Sequence, residues 1–203
     1  MSRRLLICVG FFLLVCLDLG IPVSMLAGRA AILRNGTEVT LELATRDPRD
    51  LFRGEYSRLN YAIGNLTNVP ATEEERARCA STTLKVCFVE SSQPLFVMLD
   101  KADNGTFRAA QVSSTEPSPG ALFIRGKVRY GSYQGRVDPA KCPSGLCFNG
   151  QVEYGIETWF GPQGVPAQVD RAARNQLTAL VRVDSHGNAV LADLLIEGKP
   201  VGR

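Results

Sequence analysis

Apolar and polar positions divide the chain into two regimes. Leu5 to Leu17 is an apolar run without a charge, Asp18 interrupts it, and Leu19 to Gly28 continues it with only Pro22 and Ser24 as exceptions. Further on, the pattern changes to short alternating stretches, the period of strands with one buried face. Thr37 to Leu43 sets Val39, Leu41 and Leu43 on one side. Glu55 to Ile63 sets Leu59, Tyr61 and Ile63 on one side and Tyr56, Arg58 and Asn60 on the other. Strands are also expected over Thr83 to Glu90, Leu122 to Tyr130 and Gln151 to Phe160. Two hairpins are expected: Leu95 to Asp100 with Thr106 to Ser113 across Asp103-Asn-Gly105, and Thr178 to Asp184 with Ala189 to Glu197 across Ser185-His-Gly-Asn188. His186 is then a turn residue.

Helix signals are few. Thr72-Glu-Glu-Glu75 has the form of a capping box opening a short helix through Ala80. Asp47 and Pro48 suit the cap and first position of a single helical turn that leaves through Gly54. Ala167 to Gln176 reads as a short amphipathic helix. Arg29 to Arg34 reads as a linker or strand, Asn65 to Ala71 as a loop, and Gly131 to Gly150 as a long irregular segment. The expected architecture is an all-β body, mainly an antiparallel sandwich or distorted barrel with one or two short helices, after an N-terminal transmembrane helix. Residues 1–28 form the anchor and residues 29–203 the extracytoplasmic body.

Composition narrows the function classes. Hydrophobic residues make up 45% and charged residues 21% of 203, an ordinary globular balance. A net charge of +3 argues against nucleic acid, and one histidine excludes a multi-His metal site. No cofactor or metal is expected. Met1-Ser-Arg-Arg4 is a basic start that places the N-terminus in the cytoplasm and the body outside. Leu5 to Ala27 suits a spanning helix of about 20 residues; a cleaved signal peptide is the alternative. Asp18 falls toward the outer half of the span, near the interface or facing a polar group on a partner helix.

Cys8 and Cys16 lie in the apolar segment and read as buried thiols. Cys79, Cys87, Cys142 and Cys147 fall in the body, where four cysteines suit one or two disulfides. Cys142 with Cys147 and Cys79 with Cys87 are the local pairs, and crossed pairings stay open. Their spacing is not that of paired C-x-x-C zinc knuckles. Asn35, Asn65 and Asn104 each begin an Asn-x-Thr triplet, and these are read as turns rather than glycosylation acceptors.

Asp47 to Tyr61 concentrates charge and tyrosine more than any other segment. Arg49 and Arg53 stand beside Asp47, Asp50 and Glu55, which makes either a charge-satisfied tight turn or a recognition surface of the Arg and Tyr types favoured at interfaces. Gly54-Glu-Tyr-Ser-Arg-Leu-Asn-Tyr61 resembles the motif of the GDYXXLXY family, with Glu55 where the motif has Asp. Tyr154-Gly-Ile-Glu-Thr-Trp-Phe160 is similar to that family's aromatic strand with an embedded acid, here Glu157. The resemblance implies a bacterial membrane-associated protein without an established activity, often found beside or fused to multi-spanning membrane proteins. The expected function is therefore a binding or accessory module at the inner membrane, with its bulk in the periplasm. Its interaction residues are Asp47, Arg49, Asp50, Arg53, Gly54, Glu55, Tyr56, Leu59, Tyr61, Tyr154 and Glu157, and its partner is a polytopic membrane protein. One alternative is a glycan or small-molecule sensor stacking its ligand on Tyr56, Tyr61, Tyr130, Tyr133, Tyr154 or Trp159. The other is a tethered hydrolase using Ser24 and Lys85. No catalytic constellation favours an enzyme.

Overall fold

A computed structural model describes residues 3–43, 56–80, 86–135, 142, 145–161, 169 and 176–201. The apolar N-terminal run forms one helix, α1 (Arg3–Asn35). It does not end at Gly28: the segment expected as linker or strand stays helical, because no helix breaker stands between Arg29 and Asn35 and Gly36 supplies the exit. The Gly36 N–H donates to the Ile32 carbonyl at 2.8 Å, and a Cβ on Gly36 would lie 2.6 Å from that oxygen. Arg182 fastens the exit to the body, donating to the Gly36 carbonyl at 3.1 Å and pairing with Glu38 at 2.7 Å. Within α1, Cys16 is exposed rather than buried, since nothing in the body packs on that part of the helix.

The body is mostly β-sheet. Its strands are β1 (Thr37–Glu42), β2 (Tyr56–Arg58), β3 (Asn65–Pro70), β4 (Val86–Phe88), β5 (Pro94–Lys101), β6 (Phe107–Ser113) and β7 (Phe123–Gly135). The rest are β8 (Leu146–Glu153), β9 (Thr158–Phe160), β10 (Leu177–Val183), β11 (Ala189–Ile196) and β12 (Lys199–Pro200). Ten of them join one mixed sheet in the order β12-β11-β10-β1-β6-β5-β7-β8-β3, with β4 on β7, while β2 and β9 form a separate pair. Both expected hairpins, β5–β6 and β10–β11, are present. The capping-box segment forms α2 (Glu73–Ala80).

The sheet forks at β6. Phe107 near its start pairs in parallel with Leu41 of β1, whereas Val112 near its end bridges in parallel to Ala71, just past β3. The Thr72 N–H donates to the Val112 carbonyl at 3.1 Å, and the Gln111 amide donates to the Ala71 carbonyl at 3.3 Å. The path β6-β5-β7-β8-β3 thereby curls back on itself as a small distorted barrel. Side chains fill its interior: Leu95, Val97, Ile124, Val128, Tyr133 and Phe148 are each at most 1% exposed.

Of the strand expected over Glu55 to Ile63, only Tyr56–Arg58 is strand among the described residues, and Ala62–Gly64 is a 3-10 turn. Three more local expectations change. Asn65 to Pro70 is a strand, not a loop. Pro70 is tolerated because it is the last residue of β3, where its missing N–H removes no essential ladder bond. The supposed irregular segment after Tyr130 is largely strand, since β7 runs on to Gly135 and β8 begins at Leu146. Gly131 and Gly150 face each other there, and a Cβ on either would collide with the Phe148 ring. The expected strand over Gln151 to Phe160 is broken at Gly155, whose φ of 78° suits glycine, and it resumes as β9. The helical turn over Asp47 to Arg53 lies outside the described residues, as does nearly all of the expected helix over Ala167 to Gln176.

Candidate functional site

The two segments singled out in the sequence meet in space. β2 pairs antiparallel with β9, aligning Tyr56 with Phe160, Ser57 with Trp159 and Arg58 with Thr158. The contact continues past the strands, where the Leu59 N–H donates to the Glu157 carbonyl at 2.6 Å. The chain then turns through a short 3-10 helix (Ala62–Gly64) into β3. Two phenols stitch this turn to the break after β8. Tyr61 donates to the Ile156 carbonyl at 2.9 Å, and Tyr154 donates to the Ile63 carbonyl at 2.6 Å. Each tyrosine thus satisfies a carbonyl in the segment that carries the other. Glu157 folds its carboxylate back onto the Tyr154 N–H, fixing the loop around Gly155. On its outer side, Tyr61 also bridges to Leu43, just beyond β1.

This joint is interior. Leu59, Tyr61 and Tyr154 are buried. Burial pushes both phenols far above their ordinary value of 10.0, and the Glu157 charge adds to the push. The sign follows from linkage. A phenol whose folded-state pKa is raised stabilises the fold below its unfolded value and loses that contribution as pH rises above it. Alkaline unfolding is therefore expected to begin near pH 10, with a loss of about 1.4 kcal/mol per tyrosine for each further pH unit. Urea midpoints at pH 8 and pH 11 measure it, and equal midpoints would contradict the burial of these phenols.

Of the expected interaction residues, Leu59, Tyr61, Tyr154 and Glu157 are brought together as structural staples. Tyr56 contributes its backbone to β2. Asp47, Arg49, Asp50, Arg53, Gly54 and Glu55 lie outside the described residues. What faces solvent beside the joint is polar. Arg58 and Arg129 both approach the Glu153 carboxylate, at 3.7 and 3.3 Å, along the edge of a recess of about 200 Å³. Arg129 and Glu153 were not singled out in the sequence. Their only signal is the exposed alternation of Arg125, Lys127 and Arg129 along β7, which any solvated strand face would show.

The whole of this geometry falls within a region that matches the GDYXXLXY protein family over residues 18–194. The chain belongs to the GDYXXLXY family. No curated protein and no solved structure matches it. In this GDYXXLXY protein the described residues contain no group of three metal-binding side chains. Cys79 is bonded to Cys87 and Cys142 to Cys147, the local pairs. Ser24, the candidate nucleophile, donates its hydroxyl to the Ile21 carbonyl within α1 at 2.7 Å. Lys85 lies outside the described residues.

Proposed function

We propose that this GDYXXLXY protein is a single-pass, membrane-anchored accessory module. Its β body stands on the outer side of a bacterial cytoplasmic membrane, and its helix lies against a multi-spanning membrane protein. One observation carries this reading. The stretch Leu14–Asn35 has a mean hydropathy of 1.5 and the length to cross a membrane, yet none of it is buried against the body. An apolar helix that its own domain leaves bare has lipid or another helix as its surroundings. Two disulfides in the body fit an oxidising compartment, and Arg3 and Arg4 fit a cytoplasmic N-terminus. Asp18 is exposed on the helix and only four residues into Leu14–Asn35, where its carboxylate reaches the interface or a polar group of a neighbouring helix.

Photo-cross-linkers at Leu19 and Val23 of the full chain in native membranes test this. The expected product is an adduct with one polytopic protein. Adducts with lipid alone, or a body that protease cannot reach in spheroplasts, would overturn the reading.

A further inference from the structure

Outside the tyrosine joint, β7 presents a row of exposed cations: Arg125, Lys127 and Arg129. Arg129 is the additional residue of a β-bulge. Val128 is paired with Val152 and Tyr130 with Gln151, so no residue of β8 opposes Arg129. Bulges re-aim side chains and gather next to binding sites. Here the bulge turns both Arg129 and the Tyr130 ring toward solvent, Tyr130 with 61% of its surface exposed. Arg58 arrives from β2 on the same side and shares the Glu153 carboxylate with Arg129.

Two recesses open on this row, and Glu153 and Glu157 form the wall between them. The larger, about 450 Å³, is lined by Arg125, Lys127, Ser92, Asn188 and the Tyr154 ring. On the inward face of the same strand Gly126 lets Val152 and the Tyr154 ring pack against the backbone, where a Cβ would come within 2.3 and 2.9 Å of them, and this holds the wall of the recess in place. The smaller, about 200 Å³, is lined by Arg58, Arg129, Asn60 and Gln151. Glu157 is turned onto the Tyr154 N–H but keeps its charge, so four cations face two carboxylates, Glu153 and Glu157, and the groove is net positive.

We propose that these paired recesses bind an anionic oligosaccharide, with sugar rings seated on either side of the Glu153 wall and their acidic groups on Arg58, Arg125, Lys127 and Arg129. The divided shape suits a chain of small rigid rings better than one bulky ligand. Amide and hydroxyl side chains at Asn60, Gln151, Asn188 and Ser92 donate to and accept from sugar hydroxyls, and the Tyr130 ring beside Arg129 offers a stacking face. A peptide fits less well. Over Lys127 and its neighbours β7 is paired on both edges, by β5 and β8, so no strand can be added there. The inference stands apart from the membrane partner, because it concerns the isolated protein.

The test is titration of the full chain, in a detergent without a sugar headgroup, with oligogalacturonate, a neutral dextran oligosaccharide and polyglutamate. Oligogalacturonate is expected to bind and dextran not to. Arg129→Gln and Lys127→Gln are each expected to weaken binding about tenfold, while Arg108→Gln on β6, away from the groove, leaves it unchanged. Circular dichroism confirms that the variants fold. Equal binding of polyglutamate, no binding of oligogalacturonate, or an affinity unchanged by both groove variants would overturn the proposal.

Discussion

A Tyr61→Ala chain is expected to lose about 3–5 kcal/mol of stability, the largest single loss from any residue of the motif. Tyr61 is 1% exposed, and truncation leaves a ring-sized void among Leu43, Ile63 and their neighbours, together with an unsatisfied Ile156 carbonyl. Tyr61→Phe separates the two contributions. It keeps the ring and removes only the bond to Ile156, for an expected loss of about 1–3 kcal/mol. Tyr154→Phe does the same at the Ile63 carbonyl. The two bonds run between the same two segments, 61–63 and 154–156, so their losses should not add. A double-mutant cycle followed by urea unfolding is expected to give a coupling energy above about 0.5 kcal/mol. Additive losses would mean that the tyrosines anchor two independent loops. An unstructured Tyr61→Ala chain beside a native Tyr61→Phe chain would place most of the effect in packing.

The same residues show what a sequence can reveal. The alternation around Leu59, Tyr61 and Ile63 correctly marks a buried face, because side-chain burial is written locally in polar and apolar order. The partners of that face are not. Ile156 lies ninety-five positions from Tyr61, and no local pattern encodes a bond between a phenol and a distant carbonyl. Hairpins such as β5–β6 are legible because the turn residues Asp103-Asn-Gly105 specify them. β3 is not legible because its polar residues and Pro70 look like a loop until β8 is placed beside it. β7 and β8 mislead for a related reason. Gly131 and Gly150 weaken the strand signal, yet both are needed to clear the Phe148 ring. The bulge at Arg129 is likewise a property of two strands in register. The outward aim of Arg129, and with it the recess beside Arg58, could not be read from β7 alone.

Removing both disulfides, by serine at Cys79, Cys87, Cys142 and Cys147, is expected to cost about 4 kcal/mol, roughly 2 from each short loop. That is a large part of the about 5–15 kcal/mol that holds a typical domain together. The bridges act on one end of the barrel. Cys87 in β4 stands opposite Tyr133, Tyr133 stands opposite Phe148, and Cys147 is the next residue along β8. Cys79 joins α2 to this end. There Glu75, only 2% exposed, accepts hydrogen bonds from the Ser114 N–H and hydroxyl and pairs with Arg78. Without its tether α2 can lift away, leaving the Ser114 N–H without its acceptor and opening the barrel end to water. Reduction and thiol capping should therefore lower the melting temperature and yield a less cooperative transition than in the oxidised protein. If reduced and oxidised chains melt alike, the bridges are incidental to the fold and no longer speak for an oxidising compartment. If they differ as expected, a body expressed in a reducing cytoplasm should accumulate unfolded, while one directed to an oxidising compartment folds.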